Sequence, residues 1–151
     1  MKFLNRLFYF FILAVLPVVF FPVNVLIVSD GNLFHEYILG EKNVTIFYIH
    51  SVERSEVYEG LKINRTGIYA TEMRWKDFGA GLPEDVQYME KDYYVKKINI
   101  YLGKSLEFWF IPLNKAQISV DGSLIFAPKT ETLMKFEVKR CLLVQALVRR
   151  C

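Results

Sequence analysis

The stretch Val44–Ile63, VTIFYIHSVERSEVYEGLKI, constrains the fold more than any other part of the chain. Both halves are rich in β-branched and aromatic residues, and the polar run Glu53-Arg54-Ser55-Glu56 divides them. That is the pattern of two strands folded back through a short turn. A two-residue loop at Arg54-Ser55, or a four-residue loop on the same centre, sets Val52 opposite Val57, His50 opposite Glu59, Tyr48 opposite Leu61 and Ile46 opposite Ile63. Side chains alternate along a strand, so these eight residues share one face. Six of the eight are apolar or aromatic, which leaves His50 and Glu59 as a polar pair on an apolar surface. Such a pair must be hydrogen-bonded or it costs free energy.

The same alternation recurs on both sides. Val23–Val28, Phe34–Leu39, Ile68–Trp75, Tyr93–Tyr101, Leu106–Ile111 and Met134–Val138 read as strands, separated by turn signals such as Ser29-Asp30-Gly31-Asn32 and Asn64-Arg65-Thr66-Gly67. Ala116–Val120 and Ser123–Ala127 flank Asp121-Gly122, whose residue types supply the positive φ angles of a type I′ turn. The strand, turn, strand, turn, strand order over residues 44–75 implies an antiparallel meander. Residues 86–92 carry no clear element. Cys141–Val148 is too short to span a membrane and reads as either a further buried strand or a short helix. About eight or nine short strands with almost no amphipathic helix predict an all-β antiparallel sandwich or flattened barrel.

In front of this domain, Leu7–Val28 carries no charge over 22 residues. As one helix that run extends about 33 Å, enough to cross a bilayer. Pro17 and Pro22 divide it, giving a membrane helix over residues 4–21 followed by a strand. Lys2 and Arg6 precede it and the next basic residue is Lys42, so the positive-inside rule places the N-terminus in the cytoplasm and the domain outside. Residues 1–22 are thus an anchor and residues 23–151 an extracytoplasmic β domain. A cleaved signal peptide is the alternative, but no small-x-small cleavage site follows the apolar run. Net charge is +3 with both signs interspersed and no basic block, which argues against nucleic acid as a partner. Two cysteines, Cys141 and Cys151, sit near the end without metal-site spacing, and are either a disulfide or two free thiols.

The loop Lys76–Asp85 contains Gly79-Ala80-Gly81-Leu82-Pro83. It lacks the third glycine of a dinucleotide fingerprint and the Gly-Lys-Ser/Thr of a P-loop, so no nucleotide cofactor is assigned. Its backbone N–H groups, near a histidine, are suited to an anion or carboxylate.

The hairpin residues His50-Ser51-Val52-Glu53 and Val57-Tyr58-Glu59, followed after one strand by Phe78-Gly79-Ala80-Gly81-Leu82-Pro83, resemble the bacterial and archaeal "domain of unknown function 1850" proteins. The resemblance covers roughly residues 23–140. Glu56 stands where that family is expected to carry a proline, a departure at the turn. The resemblance implies a small exported or membrane-anchored domain, often encoded beside TRAP-type solute transporters, and no activity. It carries over His50, Ser51, Glu53, Glu59, Gly79, Gly81 and Pro83, the first six being candidate ligand contacts apart from Pro83.

His50 and Glu59 have three readings: a structural pair that fixes strand register, a ligand site, or an acid–base pair. Ser51 points away from His50, which disfavours a Ser–His nucleophile. A metal site needs a third ligand, for which His35 and Glu36 are the nearby candidates, and no metal is assigned. Tyr93, Tyr94, Trp109 and the neighbouring phenylalanines read as core. The expectation is a membrane-anchored accessory protein that contacts transporter subunits or a small anionic solute. A hydrolase-like or metal-dependent enzyme using His50 and Glu59, and a structural envelope protein, are the alternatives.

Overall fold

The computed structural model describes residues 13, 15–79 and 81–151. Two antiparallel sheets pack face to face, and among the described residues no closed barrel forms. The smaller sheet has the order β2 (Phe34–Ile38), β1 (Pro22–Ser29), β11 (Thr132–Leu142), β8 (Ser105–Phe110). The larger has the order β10 (Ser123–Phe126), β9 (Gln117–Val120), β3 (Lys42–Ile49), β4 (Glu56–Asn64), β5 (Gly67–Trp75), β7 (Tyr93–Gly103), β6 (Tyr88–Glu90). The chain crosses between sheets at Lys104, after Gly103 at φ 104°. Leu26 and Val28 from β1, Ile46 from β3, Ile63 from β4, Ile68 from β5 and Phe136 from β11 meet between the sheets with no exposed surface. A smaller cluster of Val57, Trp75 and Leu82 continues this core at one end.

The all-β sandwich, the 44–75 meander and the hairpin at Asp121-Gly122, with φ 49° and 80°, are as the sequence predicts. Eleven strands form among the described residues rather than eight or nine. One addition, β6, is three exposed residues within 86–92; it carries no periodicity and exists because β7 offers it a ladder. The tail resolves into both of its alternatives: β11 runs to Leu142, and a short helix, α1 (Leu143–Leu147), follows. A disulfide joins Cys141 to Cys151. The anchor predicted over residues 4–21 lies mostly outside the described residues. Residues 15–19 are helical, and among the described residues no helix is long and apolar enough to cross a membrane.

The central hairpin differs in register. Ile49 pairs with Glu56, Tyr48 with Val57 and Ile46 with Glu59, so β4 is displaced by four residues from the predicted pairing of His50 with Glu59. A slip of one residue would turn every apolar side chain to solvent, but an even slip keeps each face intact, so the apolar pattern does not distinguish the two. Local hydrogen bonds decide. The His50 N–H donates to Ser55 O at 2.8 Å and the Arg54 N–H to His50 O at 3.0 Å. The Glu53 N–H donates to His50 Nδ1 at 3.3 Å. The turn therefore spans Ser51–Arg54, with Val52 exposed at its tip and Arg54 left-handed at φ 58°.

Arg54→Gly removes the Cβ clash of that conformation. The substitution should raise stability by roughly 0.5–1 kcal/mol in urea unfolding, since the left-handed cost to an L-residue exceeds the entropic cost of glycine. A turn centred on Arg54-Ser55 with ordinary angles predicts a loss instead.

Candidate functional site

The even displacement keeps His50 and Glu59 on the inner side of the larger sheet, where they line one cavity of about 390 Å³. Its floor is Tyr48, His50, Ser51 and Glu59. Its wall is Phe108, Trp109 and Phe110 of β8, then Ile111 and Asn114 of the turn that follows. The seven-stranded sheet is wider than the four-stranded one, and β8 is an edge strand, so the cavity lies where the smaller sheet ends.

Asn114 holds this corner closed. Its Nδ2 donates to Ile49 O at 2.9 Å, and its Oδ1 accepts from the Ile111 N–H at 2.9 Å. The side chain thereby satisfies a backbone carbonyl at the end of β3 and a backbone N–H in the turn after β8 while itself nearly buried. Pro112 stiffens the 3₁₀ turn Pro112–Asn114 that delivers it.

Glu59 is half-buried, opposite Ile46, and its Oε1 accepts a hydrogen bond from the Tyr48 hydroxyl at 2.9 Å. Burial raises the Glu59 carboxyl above the usual carboxylate range, against the opposing effect of the Tyr48 hydrogen bond. The Tyr48 hydroxyl is also raised, first by burial and then by the charge and hydrogen bond of Glu59. Among the described residues no lysine or arginine lines the cavity and Glu59 has no ion-pair partner.

The predicted contact of His50 with Glu59 is thus replaced by that of Tyr48 with Glu59, because the register sets His50 in the turn beyond β3. His50 uses Nδ1 to accept the Glu53 N–H, so its neutral ring carries the proton on Nε2. Ser51 also lines the cavity, not the opposite face, since it too belongs to the turn. No hydrogen bond joins it to His50 among the described residues.

Glu53 and Gly79 meet elsewhere. A Cβ on Gly79 would collide with Cγ, Cδ and Oε1 of Glu53, so a larger residue there requires the Glu53 side chain to move aside. The Leu82 N–H donates to Gly79 O at 3.0 Å, Gly81 sits at φ 85°, and Leu82 caps Trp75 and Val57. Gly79, Gly81 and Pro83 are not among the residues lining the cavity. The loop predicted to suit an anion is packed against a carboxylate, and its visible role is to cover the smaller core cluster.

His35 and Glu36 do not join His50. His35 packs edge-on against Phe126 at 5.0 Å, and among the described residues the group of three possible metal ligands is Glu36, Cys141 and Cys151. Two groups assigned to the core belong elsewhere. Trp109 is 66% exposed beside the cavity, and the Tyr93 hydroxyl donates to Glu56, which also pairs with Lys76 at 2.9 Å. Asn114 was not singled out because its partner lies 65 residues away in sequence; Pro-x-Asn after a strand is the signal that marks such a turn.

A protein-family model described as Domain of unknown function (DUF1850) matches residues 44–126. The match begins in β3 and ends with β10, so it contains every residue of the cavity and leaves β1, β2 and β11 outside. No curated protein and no solved structure matches the chain.

The raised carboxyl of Glu59 has a defined pH signature. An acid with a higher folded than unfolded pKa binds more protons when folded, so stability falls as pH rises from the unfolded value through the folded one. Glu59→Gln should abolish that loss: urea unfolding at pH 4 and pH 7 will show the variant gaining on the parent at the higher pH. A variant less stable than the parent at pH 7 by the same margin as at pH 4 would contradict the assignment.

Proposed function

We propose that this chain, which belongs to the family described as Domain of unknown function (DUF1850), is an extracytoplasmic binding module accessory to a solute transporter, and that its cavity takes a small cationic solute. The observation that carries the ligand class is Glu59. A desolvated carboxylate with one hydroxyl donor and no basic partner is electrostatically incomplete, and a cation supplies what it lacks. Phe108, Trp109 and Phe110 stand beside it, and aromatic faces attract ammonium groups. The small anionic solute expected from the glycine loop does not suit this cavity, which offers an anion a like charge and no lysine or arginine.

Placement outside a membrane is supported by the disulfide, which persists in oxidising compartments, and by Leu16, Val18, Phe20 and Phe21, which present exposed apolar side chains just ahead of β1. The transporter association rests on the family resemblance. Binding is preferred to hydrolysis because no hydrogen bond links His50 to Ser51 or Glu59 among the described residues, so a nucleophile and base are not assembled. A purely structural role for a His50–Glu59 pair has lost its basis with the change of register.

Titration of the full chain with aryl and alkyl ammonium ions, and with carboxylates of matching shape, tests the reading through Trp109 fluorescence. Ammonium ions should bind, more tightly as pH rises and Glu59 ionises, and Glu59→Gln should weaken them by about tenfold or more. Binding of the carboxylates alone, or ammonium binding indifferent to Glu59→Gln, would overturn it.

A further inference from the structure

On the outer face of the smaller sheet a second cluster forms, remote in sequence from the cavity residues. The ladders place Cys141 opposite Val23 and Glu36 opposite Ile27, alternate positions of β1 that flank Val25 on one face. α1 follows β11 directly, and its Ala146 is buried, as Val25 is. Cys151, beyond α1, returns to Cys141 and donates its backbone N–H to Glu36 Oε2 at 3.3 Å. The other oxygen, Glu36 Oε1, is buried without a hydrogen-bond partner. A carboxylate oxygen sealed beside an uncharged disulfide has a desolvation cost with nothing to offset it. Its position becomes intelligible if it is a ligand in the other oxidation state of its neighbours.

We infer that reduction of the Cys141–Cys151 bond creates a site for a thiophilic divalent cation of the zinc class, held by Cys141 Sγ, Cys151 Sγ and a Glu36 carboxylate oxygen. The ligand atoms already lie within 4.8 Å of one another. Zinc–sulfur bonds of about 2.3 Å set two thiolates about 3.8 Å apart, inside that spread. Two sulfurs and one oxygen select zinc over hard cations such as magnesium or calcium, which take oxygen donors. Three protein ligands leave the fourth tetrahedral position to water.

The chemistry balances with an external dithiol as reductant. Its two thiols give two electrons and two protons to the Cys141–Cys151 bond and become a disulfide themselves. Zinc binding then releases the two cysteine protons to solvent, and two thiolates, one carboxylate and the dication leave the site at net −1. Both states tie the C-terminal segment to β11, one by a covalent bond and one through the metal, and only the metal state uses a Glu36 carboxylate oxygen as a ligand. The site is therefore redox-gated. It shares no residue with the cavity, so either reading can fail without the other.

The test uses the full chain, reduced with a phosphine in the absence of oxygen and titrated with zinc against a chromogenic chelator, with cobalt(II) as the spectroscopic probe. The reduced chain should bind one equivalent and show thiolate-to-cobalt charge transfer, and the disulfide form should bind none. Glu36→Gln, which leaves both thiols in place, should weaken zinc by about tenfold or more. Cys151→Ser should lose the charge-transfer band. Equal affinity in Glu36→Gln and the parent, binding that persists in the disulfide form, or unfolding on reduction that zinc does not reverse would each overturn the inference.

Discussion

A carboxylate set into the apolar inner face of a β-sheet is the constraint on which the site depends. Glu59 stands between Val57 and Leu61 on β4, both buried, so it points where a core side chain belongs. The hydroxyl of Tyr48, from the adjacent strand, satisfies one oxygen. Filling the space above Glu59 with aliphatic core would leave the second oxygen sealed and unpaired, at a cost of a few kcal/mol. The smaller sheet ends here instead, and the edge strand β8 supplies a wall of aromatic rings beside an open cavity. The mismatch between a seven-stranded and a four-stranded sheet thus has a local counterpart: the extra width is where polar chemistry enters an otherwise dry interface.

Two loops and one turn close the surrounding structure. Asn114 bonds the end of β3 to the turn after β8, joining the sheets at the cavity's rim. Glu53 and Gly79 press the hairpin tip against the Gly79–Pro83 loop, and Leu82 then shields Trp75. These contacts place the hairpin tip and the glycine loop side by side, although only the hairpin reaches the cavity. The C-terminal segment lies on the opposite face of the smaller sheet, where the disulfide and α1 cover Val25. The family match, over residues 44–126, does not extend to that segment.

What was legible in the sequence was what local residues decide. Asp121-Gly122 dictates its own turn, and the period-two alternation of Leu106–Ile111 sets Phe108 and Phe110 on one face and Trp109 on the other, without saying which face is open. The register of the central hairpin was not legible, for a physical reason: any even displacement conserves the buried face, and the residue that fixes the true turn is an arginine in a conformation that glycine or asparagine would have advertised. The fate of Trp109 depends on which sheet ends above it, a matter of strand order rather than periodicity. Tyr48 was placed on the right face, diagonal to Glu59 in either register, but its role followed only once His50 no longer stood directly opposite Glu59. β6 is a three-residue ladder with the adjacent β7, too short to show a periodicity, and the Glu36 cluster depends on partners far away in the chain.

The central claim is that Glu59 is a desolvated carboxylate sharing one hydroxyl and awaiting a cation. Side-chain carboxyl ¹³C NMR across a pH titration of the ligand-free protein measures it directly. The account predicts that Glu59 titrates above the usual carboxylate range, and higher still in Tyr48→Phe, where the stabilising hydrogen bond is gone. Titration of Glu59 at or below the ordinary glutamate value of about 4.3, unmoved by Tyr48→Phe, would contradict it.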